Sequence, residues 1–216
     1  MLAGAGCTDF ATPAELDRAQ IIVMVAEPPA VAEGESSQLS IVIADGRGEV
    51  SGAQVDWQVS SQVEGLPPLG TVEVTGDAVT YQAPPSVTDV PSLAMVQATV
   101  DVDGTELVGL KGVVIGPLQF ANPTITEFRA DGVDVLDTGM VAVDAGATVD
   151  LAVTVDPEPD DMTTYAWYST LGEISEYRSS PTQLVAPSAP GDGWLFVVVR
   201  DGTGGATWRK LRLQVR

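Results

Sequence analysis

Histidine is missing from this sequence, and cysteine occurs once, at Cys7. Without histidine there is no Ser-His-Asp triad, no Cys-His pair and no zinc site of the common histidine type. A single thiol forms no internal disulfide. These absences weigh against an enzyme. Aromatic residues make up only 6% of the chain, so any core must be built mainly from Val, Leu, Ile and Ala. Bases are scarce as well: 10 against 30 acids, for a formal charge of −20. Phosphate backbones and anionic headgroups repel such a chain, so nucleic acid is not an expected partner. What remains is 44% hydrophobic, enough for real cores, with 22 glycines and 15 prolines. Together with the many Val and Thr residues, that favours strands and turns over helices. A length of 216 residues suits one large domain or two of about 100.

Two copies of one pattern run through the chain. Ala53 to Ser61, centred on Trp57, returns as Thr163 to Thr170, centred on Trp167. Each Trp is followed by a glycine-bearing turn and an Ala-Pro break, at Tyr81 to Pro84 and at Leu184 to Pro187. Gly34 stands five residues before Leu39, and Gly146 five before Leu151. Gly34 to Trp57 is 23 residues and Gly146 to Trp167 is 21. Val96 to Asp103-Gly104 corresponds to Leu195 to Asp201-Gly202. In the first copy, strands are expected over Ile21 to Val25, Ser37 to Ile43, the Trp57 segment, Gly70 to Val74, Ala78 to Tyr81, Leu93 to Val102 and Glu106 to Ile115. That makes about seven at sandwich spacing. A Trp on a central strand is expected to plug each core between its sheets.

This pattern resembles bacterial immunoglobulin-like and PKD-like domains, which commonly read Gly-x-x-x-x-Leu, then Trp, then Tyr-x-Ala-Pro, then a final Asp-Gly hairpin. Leu184 stands in place of the Tyr in the second copy, and no cysteine pair of the antibody type is present. The resemblance covers residues 20 to 216. It implies an all-β chain of two tandem immunoglobulin-like β-sandwiches, of about seven strands each. Domain 1 is expected over 20–117 and domain 2 over 118–216, joined end to end by a short semi-rigid link from Gly116-Pro117 to Asn122-Pro123. Such domains serve as spacers, adhesins, carbohydrate-binding modules and envelope-assembly parts, and fold alone does not choose among them.

Residues 1–19 read as a signal remnant and tether, with one helical turn expected at Ala14 to Arg18. Ala5-Gly6-Cys7 resembles the end of a bacterial lipoprotein signal peptide, which implies a lipidated Cys7 and an outer-membrane or cell-surface location. Gly4 stands where that family usually has Leu, and a basic start and most of an apolar core are not in the sequence.

Candidate site residues concentrate near the C-terminal end. With period two, Leu211, Leu213 and Val215 face the core of one strand, while Trp208, Lys210 and Arg212 face outward. On the preceding strand Leu195, Val197 and Val199 turn inward, leaving Trp194, Phe196 and Arg200 outside, and Tyr168 points the same way from the Trp167 strand. Five of the ten bases lie from Arg200 onward. Aromatics beside arginine make an interaction hot spot, so Tyr168, Trp194, Phe196, Arg200, Trp208, Lys210 and Arg212 are the expected partner-binding face, offered to another envelope or extracellular protein. Sugar stacking on Trp194, Trp208 and Tyr168, or an inert spacer, are the alternatives. No cofactor is expected. Asp156 to Asp161, and Asp101 with Asp103, could supply calcium ligands, but Asp-Gly at a hairpin tip is usually only a turn.

Overall fold

The computed structural model describes residues 14–60, 67–87, 91–117 and 120–216. Cys7 and its lipoprotein-like segment lie outside them.

Domain 1 holds β1 (Gln20–Glu27), β2 (Ala30–Val31), β3 (Ser36–Asp45), β4 (Gly48–Glu49), β5 (Val55–Ser60), β6 (Thr71–Thr75), β7 (Ala78–Gln82), β8 (Ser92–Val102) and β9 (Thr105–Ile115). They form two sheets, β1-β3-β7-β6 with β4 beside β3, and β2-β9-β8-β5. Pro28 and Pro29 break the ladder after β1, and β2 then crosses to the other sheet, where it pairs parallel with β9.

Domain 2 repeats the scheme with β10 (Thr124–Ala130), β11 (Val133–Asp134), β12 (Met140–Val143), β13 (Thr148–Asp156), β14 (Thr164–Ser169), β15 (Glu173–Ile174), β16 (Thr182–Val185), β17 (Gly191–Arg200) and β18 (Ala206–Val215). Its sheets run β11-β10-β13-β16-β15 and β12-β18-β17-β14, and β12 pairs parallel with β18 as β2 does with β9. The strand order is that of an immunoglobulin-like sandwich. The chain is all-β and consists of two such sandwiches in tandem. Register confirms the repeat: Trp57 lies opposite Ala98 and Trp167 opposite Val197. Gly70 and Gly172, both at positive φ, precede β6 and β15. A Cβ on Gly172 would sit 2.6 Å from the Val185 carbonyl oxygen, so only glycine fits that turn.

The two tryptophans have different surroundings. Trp167 is fully buried, meets Phe128 edge to face at 5.4 Å between ring centres, and donates its indole N–H to the Ser179 carbonyl. Trp57 is only half-buried at the side of its core. The expectation that each Trp plugs its own core therefore holds for Trp167 alone.

The tether also differs from expectation at its described end. No helical turn forms at Ala14 to Arg18. Instead residues 14 to 16 run beside β14: Leu16 N–H donates to the Ser169 carbonyl, and Ser169 N–H to that of Ala14. Ala14 joins the core of domain 2 and Leu16 the layer between domains.

Candidate functional site: the layer between the domains

The seven residues expected to form the partner face do come together. β14, β17 and β18 are neighbours in one sheet, and the inward and outward sets fall as period two requires. The face, however, is covered by domain 1. Phe196, fully buried, and Val198 pack with Ile22, Val23, Val42 and Ala44 of domain 1, with Tyr168, Trp194 and Trp208 around them. The domains thus lie sheet on sheet rather than end to end. The expectation of a free docking face, or of a sugar platform on Trp194, Trp208 and Tyr168, is corrected: the occupant is the first sheet of the same chain. The physical reason is apolar area. An exposed aromatic patch of that size is costly in a free domain, and β1 and β3 supply the matching surface.

Those two strands bury side chains on both of their faces. β1 slips register between Ile21 and Val23, so Ile22 and Val23 meet domain 2 while Ile21 and Met24 stay with domain 1. β3 alternates, with Val42 and Ala44 outward to domain 2 and Ile41 and Ile43 inward. The uninterrupted runs Ile21 to Ala26 and Ile41 to Ala44 carried the signal, because a strand without polar alternation is buried on both sides.

Polar contacts border this layer. Arg200 donates to the Ile22 carbonyl at 3.3 Å. Lys210 stands 4.5 Å from the centre of the Trp194 ring and pairs with Glu49 at 2.9 Å. Gly48 also packs against that indole: a Cβ there would lie 2.5 Å from Trp194 Cδ1. Asn122 links the domains, donating to the Ala26 carbonyl and accepting from Ala206 N–H. Arg212 is exposed at the rim and pairs with Asp192 at 3.0 Å. Trp208 lines a groove of about 540 Å³ shared with Val25, Glu27, Ser40 and Asn122.

Lys111 is the buried base among the described residues. It occupies the position that Leu211 holds in domain 2, since Ile115 and Val215 pair with Ser92 and Gly191 in the same register. Its side chain is 8% exposed and its ammonium donates to the Gly204 carbonyl of domain 2. Burial pushes its pKa down from 10.5 to about 8, Asp201 opposes the shift and Arg200 adds to it. Between those values the unfolded chain holds a proton that the folded chain has released, so stability rises with pH across that window. Lys111→Met should abolish the rise and stabilise the protein at neutral pH by about 2 kcal/mol. Urea unfolding of both chains at steps from pH 7 to 10 reads this directly. Above pH 10 an opposite trend sets in, because burial raises the Tyr81 phenol to about 12, and the stability that its neutral form supplies is lost as pH climbs towards that value.

The acidic turns use their carboxylates locally. Asp160 accepts from Met162 N–H and Thr163, Asp101 from Gly104 N–H, and Asp103 pairs with Arg47. Among the described residues no group of three or more potential ligands gathers around one point.

No protein-family model and no curated protein matches the sequence. Among solved structures, the chain is similar to the N-terminal Ig1-2 module of the Drosophila receptor protein tyrosine phosphatase DLAR at 14% identity, covering 92% of this chain and 98% of that one with a TM-score of 0.35. It is similar to the D00-D0 domain of intimin at 11% identity, with 88% and 99% covered and a TM-score of 0.30. The fibronectin(III)-like modules of Clostridium thermocellum CbhA are similar at 11% identity, with 92% and 94% covered and a TM-score of 0.31.

Proposed function

We propose that this chain is a non-catalytic interaction module of the cell envelope, lipid-anchored at Cys7, whose two sandwiches act as one rigid body. The observation that supports rigidity is the buried layer centred on Phe196, closed by residues from β1, β3, β14, β17, β18 and the segment before β1. Interfaces between domains of one chain are usually modest and permit relative motion, but an apolar one resists it. The anchor reading draws on Ala5-Gly6-Cys7. Ala14 is already held by domain 2, seven residues on from Cys7. An extended chain of that length spans at most roughly 25 Å, so an anchor at Cys7 would hold domain 2 close to a membrane. The partner would be another envelope or extracellular protein, met by a surface other than the covered face.

Two measurements test this reading. The mass of the N-terminal peptide from protein isolated from its own cells should show an acylated cysteine, with Cys7→Ser releasing the protein from the membrane fraction. Residual dipolar couplings from the two domains should fit one alignment tensor. A bare Cys7 inside a longer chain overturns the anchor, and two independent tensors overturn the rigid body.

A further inference from the structure

Trp57 and Trp167 occupy equivalent positions, yet one is sealed and the other faces a cleft. In domain 2 the connection between β15 and β16 runs back across the sandwich edge. Tyr177 accepts a hydrogen bond from Trp167 N–H, Ser179 from the Trp167 indole, and Ser180 Oγ from Val153 N–H. Further along the same edge, Ser169 pairs with residues 14 and 16. The free side of β14 is therefore covered by added chain at Trp167 and at Ser169.

Among the described residues, domain 1 lacks these covers. β6 and β7 are joined by Gly76-Asp77 alone, so the connection between them does not cross Trp57 as residues 177 to 180 cross Trp167. In their place lies a cleft of about 1280 Å³, lined by Leu39, Ile41, Val55, Trp57, Val74 and Val79. Ile41 is the counterpart of Val153, and Val74 is 58% exposed. β5 ends its sheet, with β8 on one side only. In a strand the side-chain face and the direction of N–H and C=O are locked together. With Trp57 turned inward as Trp167 is, the backbone of Val55 and Trp57 points away from β8 and into this opening. Among the described residues nothing bonds the Trp57 indole or the outward backbone of these two residues.

The surround is acidic. Asp56, Asp77 and Asp101 border the cleft and no base does. Residues 1–117 carry only Arg18, Arg47 and Lys111 as bases, and none lines it.

From these observations we infer that the β5 edge of domain 1 takes an added strand from a partner: an extended peptide that alternates apolar residues with lysine or arginine. Its backbone pairs with Val55 and Trp57, its apolar side chains enter the cleft against Trp57, Ile41 and Val79, and its basic side chains meet Asp56, Asp77 and Asp101. Main-chain bonds supply attachment and the alternating side chains supply selection. The precedent is internal, since residues 14 to 16 do the same to β14. A peptide is favoured over a sugar by the free strand edge, since a sugar has no backbone to pair with Val55 and Trp57. A second copy of this acidic chain would bring the wrong charge. The inference names the partner for the interaction reading above. Its failure would leave the rigid body and the anchor untouched, because those are read from other residues.

The test is a titration of the full-length, 15N-labelled protein with an acetylated octapeptide alternating valine with lysine and threonine. The indole and amide signals of Trp57 and the amide of Val55 should move, and exchange at Trp57 N–H should slow. N-methylating alternate peptide bonds should weaken binding at least about tenfold, because the strand bonds are lost while every side chain remains. Exchanging lysine for glutamate, or Asp77→Lys in the exposed hairpin of the protein, should weaken it at least about threefold. Silence at Trp57 up to millimolar peptide, or equal binding of the N-methylated peptide, overturns the inference. So does a Trp57 response to oligosaccharide but not to peptide, or to protein concentration alone, which would assign the cleft to a sugar or a second copy.

Discussion

Phe196→Ala is expected to uncouple the two domains. The ring is fully buried between them and contributes nothing to the domain 2 core, which is built from Leu195, Val197 and Val199 on the opposite face of β17. Removing it deletes a large apolar side chain from a site walled by two sheets, where partial collapse leaves a cavity. The expected cost is about 3 to 4 kcal/mol. Because the loss falls on the interface, it should appear as loss of coupling rather than collapse of either sandwich. Urea unfolding followed by fluorescence should pass from one transition to two, and the radius of gyration by X-ray scattering should rise before either. The indole signal of Trp167, inside domain 2, should stay where it is. A variant that loses the Trp167 signal together with the interface would show Phe196 acting within domain 2 itself.

Trp167→Ala and Trp57→Ala should differ several-fold in cost although the residues are equivalent in the repeat. Trp167 loses its full burial, its edge-to-face contact with Phe128 and its indole bond to Ser179. Those together are worth about 4 to 5 kcal/mol, a large share of the total stability of a domain of this size. Trp57 is half-buried, has Met24 where domain 2 has Phe128, and makes no indole hydrogen bond among the described residues. Its removal should cost about 1 to 2 kcal/mol. Thermal melts of the two variants decide this. Equal costs would mean that Trp57 is buried in solution, and the cleft beside it would then be closed.

The difference between these tryptophans marks the limit of what local sequence carries. Both sit in alternating segments at matched distances from a glycine and a leucine, and both became end strands of their sheets rather than the central strands expected. What separates them is a connection elsewhere: seven residues, 175–181, between β15 and β16, against the two-residue Gly76-Asp77 hairpin between β6 and β7. The sequence shows the lengths, but only the folded chain shows that the longer one crosses back over the Trp.

The same holds for the aromatic face. Tyr168, Trp194, Phe196 and Trp208 were legible as outward-facing, because side chains alternate along a strand whatever lies beyond it. Period two states which residues are not in the strand's own core; it does not state what they meet. The occupant comes from β1 and β3, some 150 residues away in sequence, and from Leu16 in a segment that reads as a polar tether. That part required the tertiary structure.

By itself, then, the sequence determined two sandwiches of one topology, since turns, glycines at positive φ and strand periodicity are local constraints that act within about ten residues. Only the tertiary structure decided that the sandwiches lie sheet on sheet, that the aromatic face is buried and that the open site lies beside Trp57. Burial between domains is a matching of two distant surfaces, and no local pattern encodes its partner.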